Sequence, residues 1–335
     1  MRCKEDNFLS LVNDPQAVVE LQDKVIRRFS VIGLQGTEDD IAAATTDVNL
    51  ARIRSLSTMR YSLWKPLLVE SRFVRVLSLY VSSRHEVAID LTVINHLPLL
   101  RYLKVSGDGK KIMLPCQIRG LRVLETLDFS DILSHSSISL EVVDVPRLSH
   151  LAVPMGCTRL PDSIGEVKSL RTLSGFTVPM DSLESIIGLG RLTALSGLHL
   201  CFTRAMQRAE EATWMTALST SLDKLCGLKK LRMDPSDIFQ SVALCADDAL
   251  GSLSPAFRNL EVLDVGYGCT LSRVPRWIGC LRGLCELQLG AKQLLQEDVA
   301  IMGTRLPSLV YLSLRIPGIP TGRITVGGST GFPSL

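Results

Sequence analysis

Aromatic residues make up only 5% of this 335-residue chain. A compact domain of that length fills its interior with mixed aromatic, β-branched and leucine side chains, so the scarcity argues against one large core. An excess of one charge is lacking too, since 37 Lys and Arg stand against 34 Asp and Glu for a net of +3. That balance gives no overall electrostatic footprint for nucleic acid or a membrane surface. No apolar run approaches the ~18 to 20 residues of a membrane span. The polar start MRCKEDNFLS has no apolar signal-peptide core. The nine cysteines include no CxxC pair, and none of Asn7, Asn13, Asn49, Asn95 and Asn259 begins an Asn-x-Ser/Thr sequon. Both absences point to reduced thiols and a cytoplasmic chain. The histidines (His85, His96, His135, His150 and His199) show no metal-ligand spacing, and no Cys/His pair carries a nucleophile motif. No catalytic residue, metal or cofactor is expected, and the chain reads as a non-enzyme.

Leucine is what the sequence has instead, at about one position in six, well above average usage. It recurs in one phrase, L-x-x-L-x-L: Val74-Leu77-Leu79, Leu100-Leu103-Val105, Leu124-Leu127-Phe129, Leu148-Leu151-Val153 and Leu195-Leu198-Leu200. Leu228-Leu231-Met233, Leu260-Leu263-Val265, Leu284-Leu287-Leu289 and Leu309-Leu312-Leu314 continue it, while Leu170-Leu173 opens a weaker copy with Gly175 in its third slot. The starts lie about 25 residues apart, which is a leucine-rich-repeat period. Successive strand residues alternate faces, so the second and third leucines of the phrase point together into a core and the residues between them point outward. One repeat cannot bury its apolar face alone. The expected fold is therefore an α/β leucine-rich-repeat solenoid, a curved horseshoe with a parallel concave sheet and short convex helices.

A second phrase precedes several strands, in LPCQIRGLRVL (114–124), LPDSIGEVKSL (160–170) and VPRWIGCLRGL (274–284). Ile118, Ile164 and Ile278 predict one- or two-turn convex helices entered through Pro115, Pro161 and Pro275. Upstream copies at Ile26-Phe29-Val31 and Ile53-Leu56-Thr58 predict a repeat domain over 25–335 of about 12 repeats. Residues 1–24 are expected as a linker. Two longer gaps predict insertions: 204–225 as a helix with Met206, Ala209, Thr213 and Ala217 on one stripe, and 234–258 as a loop and helix. Gly107-Asp108-Gly109-Lys110-Lys111 lacks the spacing and Ser/Thr of a phosphate-binding loop and reads as a hairpin-like turn. Cys157 and Cys269 read as structural, and Cys201, one position past a strand slot, as an outward and more accessible thiol.

The outward strand positions line up across repeats into columns about 4.8 Å apart. They give a candidate protein-binding surface of Tyr102, Lys104, Asp128, His150, His199, Lys230, Arg232, Asp264, Glu286 and Tyr311. Its polar clusters are Tyr102/Lys104 beside Thr126/Asp128, and Lys230/Arg232 beside Asp264/Glu286. A solvated face of mutually compensating charges is the competing reading. Tyr102, Arg232 and Tyr311 are the preferred anchors, as aromatic and Arg side chains carry most interface energy.

The LPxxIGxLxxLxxL phrase, the GCT in LAVPMGCTRLP and LDVGYGCTLSRVP, and the opening CKEDNF with VIRRFSV together resemble the leucine-rich-repeat region of plant nucleotide-binding leucine-rich-repeat (NLR) disease resistance proteins. The likeness is closest to coiled-coil-type members from grasses. It implies a recognition module for a pathogen effector or a modified host protein. It also implies restraint of the receptor through contact with a nucleotide-binding module, in cis or in trans. ADP or ATP is expected only in that module, whose G-x-x-x-x-G-K-[ST] loop is not found here, so the chain reads as a truncated receptor. The alternative is a leucine-rich-repeat scaffold or ubiquitin-ligase adaptor.

Overall fold

The computed structural model describes residues 10–12, 26–32, 50–59, 68, 71–82, 89–108, 111–113, 118–132, 137–139, 145–156, 159–178, 182–203, 208–236, 242–244, 257–316 and 332. The chain divides into two compact units, Met1–Thr158 and Arg159–Leu335. Each repeat phrase becomes one short strand. In the first unit these are β1 (Ser10–Val12), β2 (Arg28–Ile32), β3 (Ser55–Met59), β4 (Val76–Ser82), β5 (Ile89–Asp90), β6 (Tyr102–Asp108), β7 (Lys111–Met113), β8 (Thr126–Asp128), β9 (Ser137–Ser139) and β10 (His150–Ala152). The order β1-β2-β3-β4-β6-β8-β10 is a parallel sheet, and β5-β7-β9 form a second, shorter parallel ladder.

The second unit repeats this plan with β11 (Thr172–Val178), β12 (Gly197–Phe202), β13 (Lys230–Pro235), β14 (Val242–Leu244), β15 (Val262–Val265), β16 (Cys269–Leu271), β17 (Glu286–Gly290) and β18 (Tyr311–Arg315). Its sheet runs β11-β12-β13-β15-β17-β18, again parallel, with β14-β16 as the lesser ladder.

Two backbone devices recur from coil to coil among the described residues. The N–H of the first leucine bonds the carbonyl three residues earlier, as in Leu100 to Leu97, Leu124 to Leu121 and Leu284 to Leu281 at 3.0 to 3.1 Å. One carbonyl then accepts two consecutive N–H groups from the next coil. Arg101 and Tyr102 bond Arg75 O at 2.8 and 3.0 Å, and Val310 and Tyr311 bond Cys285 O at the same distances. Leucines behind this seam are sealed. Leu103, Leu127, Leu231 and Leu287 are fully buried, as are Ile26, Phe29 and Val31 of the upstream copy.

Several expectations change in detail. The pieces carrying Ile118, Ile164 and Ile278 are 3-10 turns (Ile118–Gly120, Asp162–Glu166, Arg276–Cys280), with Pro161 and Pro275 as extended caps just before them. Five residues are too few for a chain of i→i+4 bonds, and the tighter i→i+3 bond of Val167 N–H to Ile164 O closes the turn. Pro115 lies outside the described residues. Among the described residues, α-helices of more than one turn are α1 (Leu183–Leu189), α2 (Arg208–Leu222) and α3 (Gln296–Arg305). The inward stripe of α2 is Met215, Leu218 and Leu222, whereas Thr213 is exposed. Its longest apolar side chains take the i, i+3, i+7 face, which outweighs the alanine stripe expected from sequence; the side chains of Met206 and Ala209 lie outside the described residues.

Gly175 is not a core slot. Ser174 pairs with His199 and Phe176 with Leu200, so Gly175, at φ 89°, is the extra residue of a β-bulge and Phe176 is the buried third residue. Cys201, expected outward and accessible, is fully buried because β12 runs on past the phrase and pairs Cys201 with both Thr177 and Asp234. Gly107 does not open a hairpin, since β6 and β7 belong to separate parallel ladders. β1 lies within residues 1–24, expected as a linker, and the described part of 234–258 shows the end of β13, the strand β14 and no helix. Cys157 is outside the described residues.

Leu127→Ala and Leu263→Ala should each cost about 2 to 5 kcal/mol in urea unfolding, because a stacked core cannot collapse around the cavity. Gly175→Ala should cost about 1 to 2 kcal/mol by the same measurement, as a left-handed bulge residue gains a Cβ.

Candidate protein-recognition surface

The parallel register places the outward residues of each sheet in columns, as the alternation predicts. In the first unit Tyr102 lies beside Thr126, and Lys104 beside Asp128. Lys104 Nζ is 3.7 Å from Asp128 but only 2.5 Å from Asp131, a residue that the repeat phrase does not single out. The hydrogen bond to Asp131 pushes the Lys104 pKa up, and burial followed by the nearby Asp128 raises that of Tyr102. One oxygen of Asp128 is occupied by its own turn, accepting from Ser130 N–H at 3.0 Å and Ser130 Oγ at 2.7 Å. This cluster is thus largely compensated from within. His150 stands exposed on β10.

The second unit builds something more elaborate across four strands. Ser174 Oγ on β11 lies 3.0 Å from His199 Nδ1 on β12, and His199 Nε2 lies 2.9 Å from Asp234 Oδ2 on β13. Arg232 Nε donates to the same Asp234 oxygen at 2.6 Å and stands 3.5 Å from Asp264 Oδ2 on β15. Asp234 falls just past the phrase, at the start of what reads as an insertion. Continued strand alternation at 230, 232 and 234 is the signal that would have found it.

The charges in this network are layered. Asp234 is 13% exposed and Asp264 25%, whereas Arg232 is 57% exposed. Burial, the largest single influence, pushes the Asp234 carboxyl up, but the bonds from His199 and Arg232 outweigh it and hold the group below its ordinary range. Burial pushes the Asp264 carboxyl up, and its Oδ1 is buried without a hydrogen-bond partner. Asp234 has a seat only because residue 266 is glycine, where a Cβ would lie 1.6 Å from Asp234 Oδ1.

Around this base stand Lys230, Glu286 and Tyr311, all exposed, with Val262 separating Lys230 from Glu286. Lys230 and Glu286, which the sequence places in one polar cluster, are separated by the intervening strand, and neither residue has an ion pair among the described residues. Beyond the phrase, Tyr267 is 80% exposed, and the Arg315 guanidinium sits 5.4 Å from its ring centre while bonding Val265 O. Nothing in the repeat phrase marks this pair, which joins residues 48 positions apart on different coils.

The Ser174-His199-Asp234 order superficially matches a hydrolytic relay. A nucleophilic serine needs N–H donors converging where negative charge develops. Here Ser174 and its neighbours apart from the bulge residue Gly175 pair in the sheet ladder, and Arg232 takes the oxygen that His199 uses. The network acts as a clamp that holds Arg232 and His199 in place. Cys269 is buried, with its thiol pushed up to about 12 by that burial, and so is unreactive. Among the described residues no group of three or more His, Cys, Asp or Glu is placed to hold a metal ion.

Asp234→Asn should lower stability by about 1 to 3 kcal/mol in urea unfolding near neutral pH, because a buried charge-assisted bond is lost. The Asp234 contribution is present above the ordinary carboxylate range of about 3.9 and disappears as pH falls through its lowered folded value. The gap between wild type and variant should therefore close in acid. Gly266→Ala should cost a similar amount, about 1 to 3 kcal/mol, by evicting Asp234 from its seat.

A family model described as a leucine-rich repeat region matches residues 52–335. Disease resistance protein RGA5 of Oryza sativa subsp. japonica is 32% identical over 321 residues, which are 95% of this chain and 28% of that protein. Disease resistance protein Pik-2 of the same species is 25% identical over 352 residues, 92% of this chain and 32% of that protein. The chain thus spans less than a third of the length of these curated relatives. The crystal structure of an internalin from Listeria monocytogenes superposes with a TM-score of 0.52 at 16% identity, over 91% of this chain and 84% of the internalin, a likeness of fold alone. The chain belongs to the leucine-rich-repeat family, and it is a repeat region of the kind carried by plant disease resistance proteins.

Proposed function

We propose that this chain is the protein-recognition region of a plant intracellular immune receptor. It senses a pathogen effector or a modified host protein on the outward face of the second unit's sheet. In the intact receptor the same region contacts a nucleotide-binding module and helps to keep the receptor off. It performs no catalysis itself, and any bound ADP or ATP belongs to that other module. Among the described residues no helix is long and apolar enough to cross a membrane, and the proposed compartment is the cytoplasm.

One observation carries this reading. Arg232 is more than half exposed yet pinned at Nε by Asp234 and Asp264, and neither terminal amino group has a partner among the described residues. A side chain ordered before binding loses little entropy when a partner arrives, which is the condition for an interface anchor. Tyr311, half exposed, and Tyr267 supply aromatic area on nearby strands and turns. The relatives' names add that such repeats occur in disease resistance proteins.

The test is capture of purified effector candidates, and of the nucleotide-binding module of a rice resistance receptor, by the immobilised chain. Lys230→Glu combined with Arg232→Glu should reduce capture at least tenfold in a variant that still unfolds cooperatively, with its midpoint lowered by the loss of the Arg232–Asp234 bond, and Lys230→Glu alone should weaken capture with the unfolding midpoint within error of wild type. Undiminished capture by the folded double variant would overturn the assignment of this face.

A further inference from the structure

The position just after the first leucine of each phrase forms its own column, because its carbonyl is the one that accepts two N–H groups from the next coil. In the first unit that column is Arg27, Arg54, Arg75, Arg101 and then Glu125. The carbonyl of Arg27 accepts from Arg54 and Ser55, that of Arg54 from Arg75 and Val76, that of Arg75 from Arg101 and Tyr102, and that of Arg101 from Glu125 and Thr126, all at 2.7 to 3.1 Å. Four arginines therefore stack on consecutive coils at one strand spacing, about 4.8 Å. All four are exposed. Only the last is neutralised, by Glu125 at 2.7 Å; Arg27, Arg54 and Arg75 have no ion pair among the described residues. Arg52, two residues before Arg54, is exposed as well. The near-zero net charge of the chain conceals this local stripe.

Like charges rooted one strand spacing apart repel one another, and their long side chains can splay but stay on the same stretch of surface. An incoming row of carboxylates relieves that repulsion. We propose that this arginine column docks an acidic helical segment of a protein partner. Carboxylates at positions i, i+3 or i+4, and i+7 of a helix are about 5 to 6 Å apart, close to the arginine spacing, so each can meet one guanidinium in a two-pronged bond. An extended acidic peptide fits less well, as same-face residues recur only every ~6.6 Å. This surface lies on the first unit, apart from the Arg232 face, and stands or falls independently of it.

The experiment uses the full chain and a fluorescently labelled 22-residue alanine-based helix with glutamate at every third or fourth position on one face. Its controls are the same composition scrambled and a DNA duplex of equal charge. Anisotropy titrations should show saturable binding to the patterned helix that weakens as NaCl rises from 50 to 300 mM. Arg54→Glu with Arg75→Glu should weaken it at least tenfold, and Arg54→Lys with Arg75→Lys by less, with circular dichroism matching wild type in both. Lys230→Glu with Arg232→Glu should leave it unchanged. Absence of saturable binding, equal affinity for the scrambled peptide, tighter binding of the duplex, or full affinity in the folded glutamate variant would each overturn the proposal.

Discussion

One carbonyl accepting two consecutive N–H groups is the constraint on which the rest of this structure depends. Repeated from Arg27 to Cys285 within the two units, it fixes the spacing of adjacent coils and the register in which they meet. Leucines stacked behind it supply the driving force through burial and reject a slip by one residue, which would turn every core leucine to the solvent side. The doubly accepting carbonyl then holds the next coil at a fixed place against the one before it. Few aromatics suffice because a leucine slot refilled at each coil builds a core of constant thickness.

A fixed register turns sequence columns into physical ones. Residues about 25 apart in the chain become neighbours about 5 Å apart, and their charges must then be reconciled across coils. The structure does this in different ways. Arg101 with Glu125 and Lys229 with Glu261 are simple exposed cross-coil pairs at 2.7 and 2.9 Å, each of the kind that contributes little to stability. At Arg232 the acids lie beneath and the cation above, so that attraction is spent on holding the guanidinium in place while its outer donors stay available. Along Arg27, Arg54 and Arg75 no compensation is made among the described residues, and the surface is left positive.

Rigidity follows from the same design. Asp234 is closed in by Arg232, His199 and the bare backbone at Gly266, so its position is set by three coils at once. Tyr267 is held from β18 by an arginine anchored to the backbone beside it. Surfaces assembled in this way are ordered before any partner binds, which suits recognition and has little use for moving parts.

The sequence by itself determined the repeat, its period, the strand positions and the burial of the phrase leucines up to the last strand, where Leu312 and Leu314 are only half-buried, because those depend only on alternation along a short strand and on what one coil must hide. It also marked Arg232, Asp264 and Lys104 as outward residues, since outward facing is a local property. Only the tertiary structure decided which of them meet. Asp234 and Asp131 lie past the phrase and enter the site through strand continuation and a turn; Phe176 replaces Gly175 as a core residue through a bulge; and Cys201 is buried by strands on both sides. Each of these outcomes was settled by a neighbouring coil, about 25 to 35 residues away in the chain, whose side chains compete for the same space and the same hydrogen bonds. A repeat pattern specifies what each coil offers, and the stacking specifies what becomes of it.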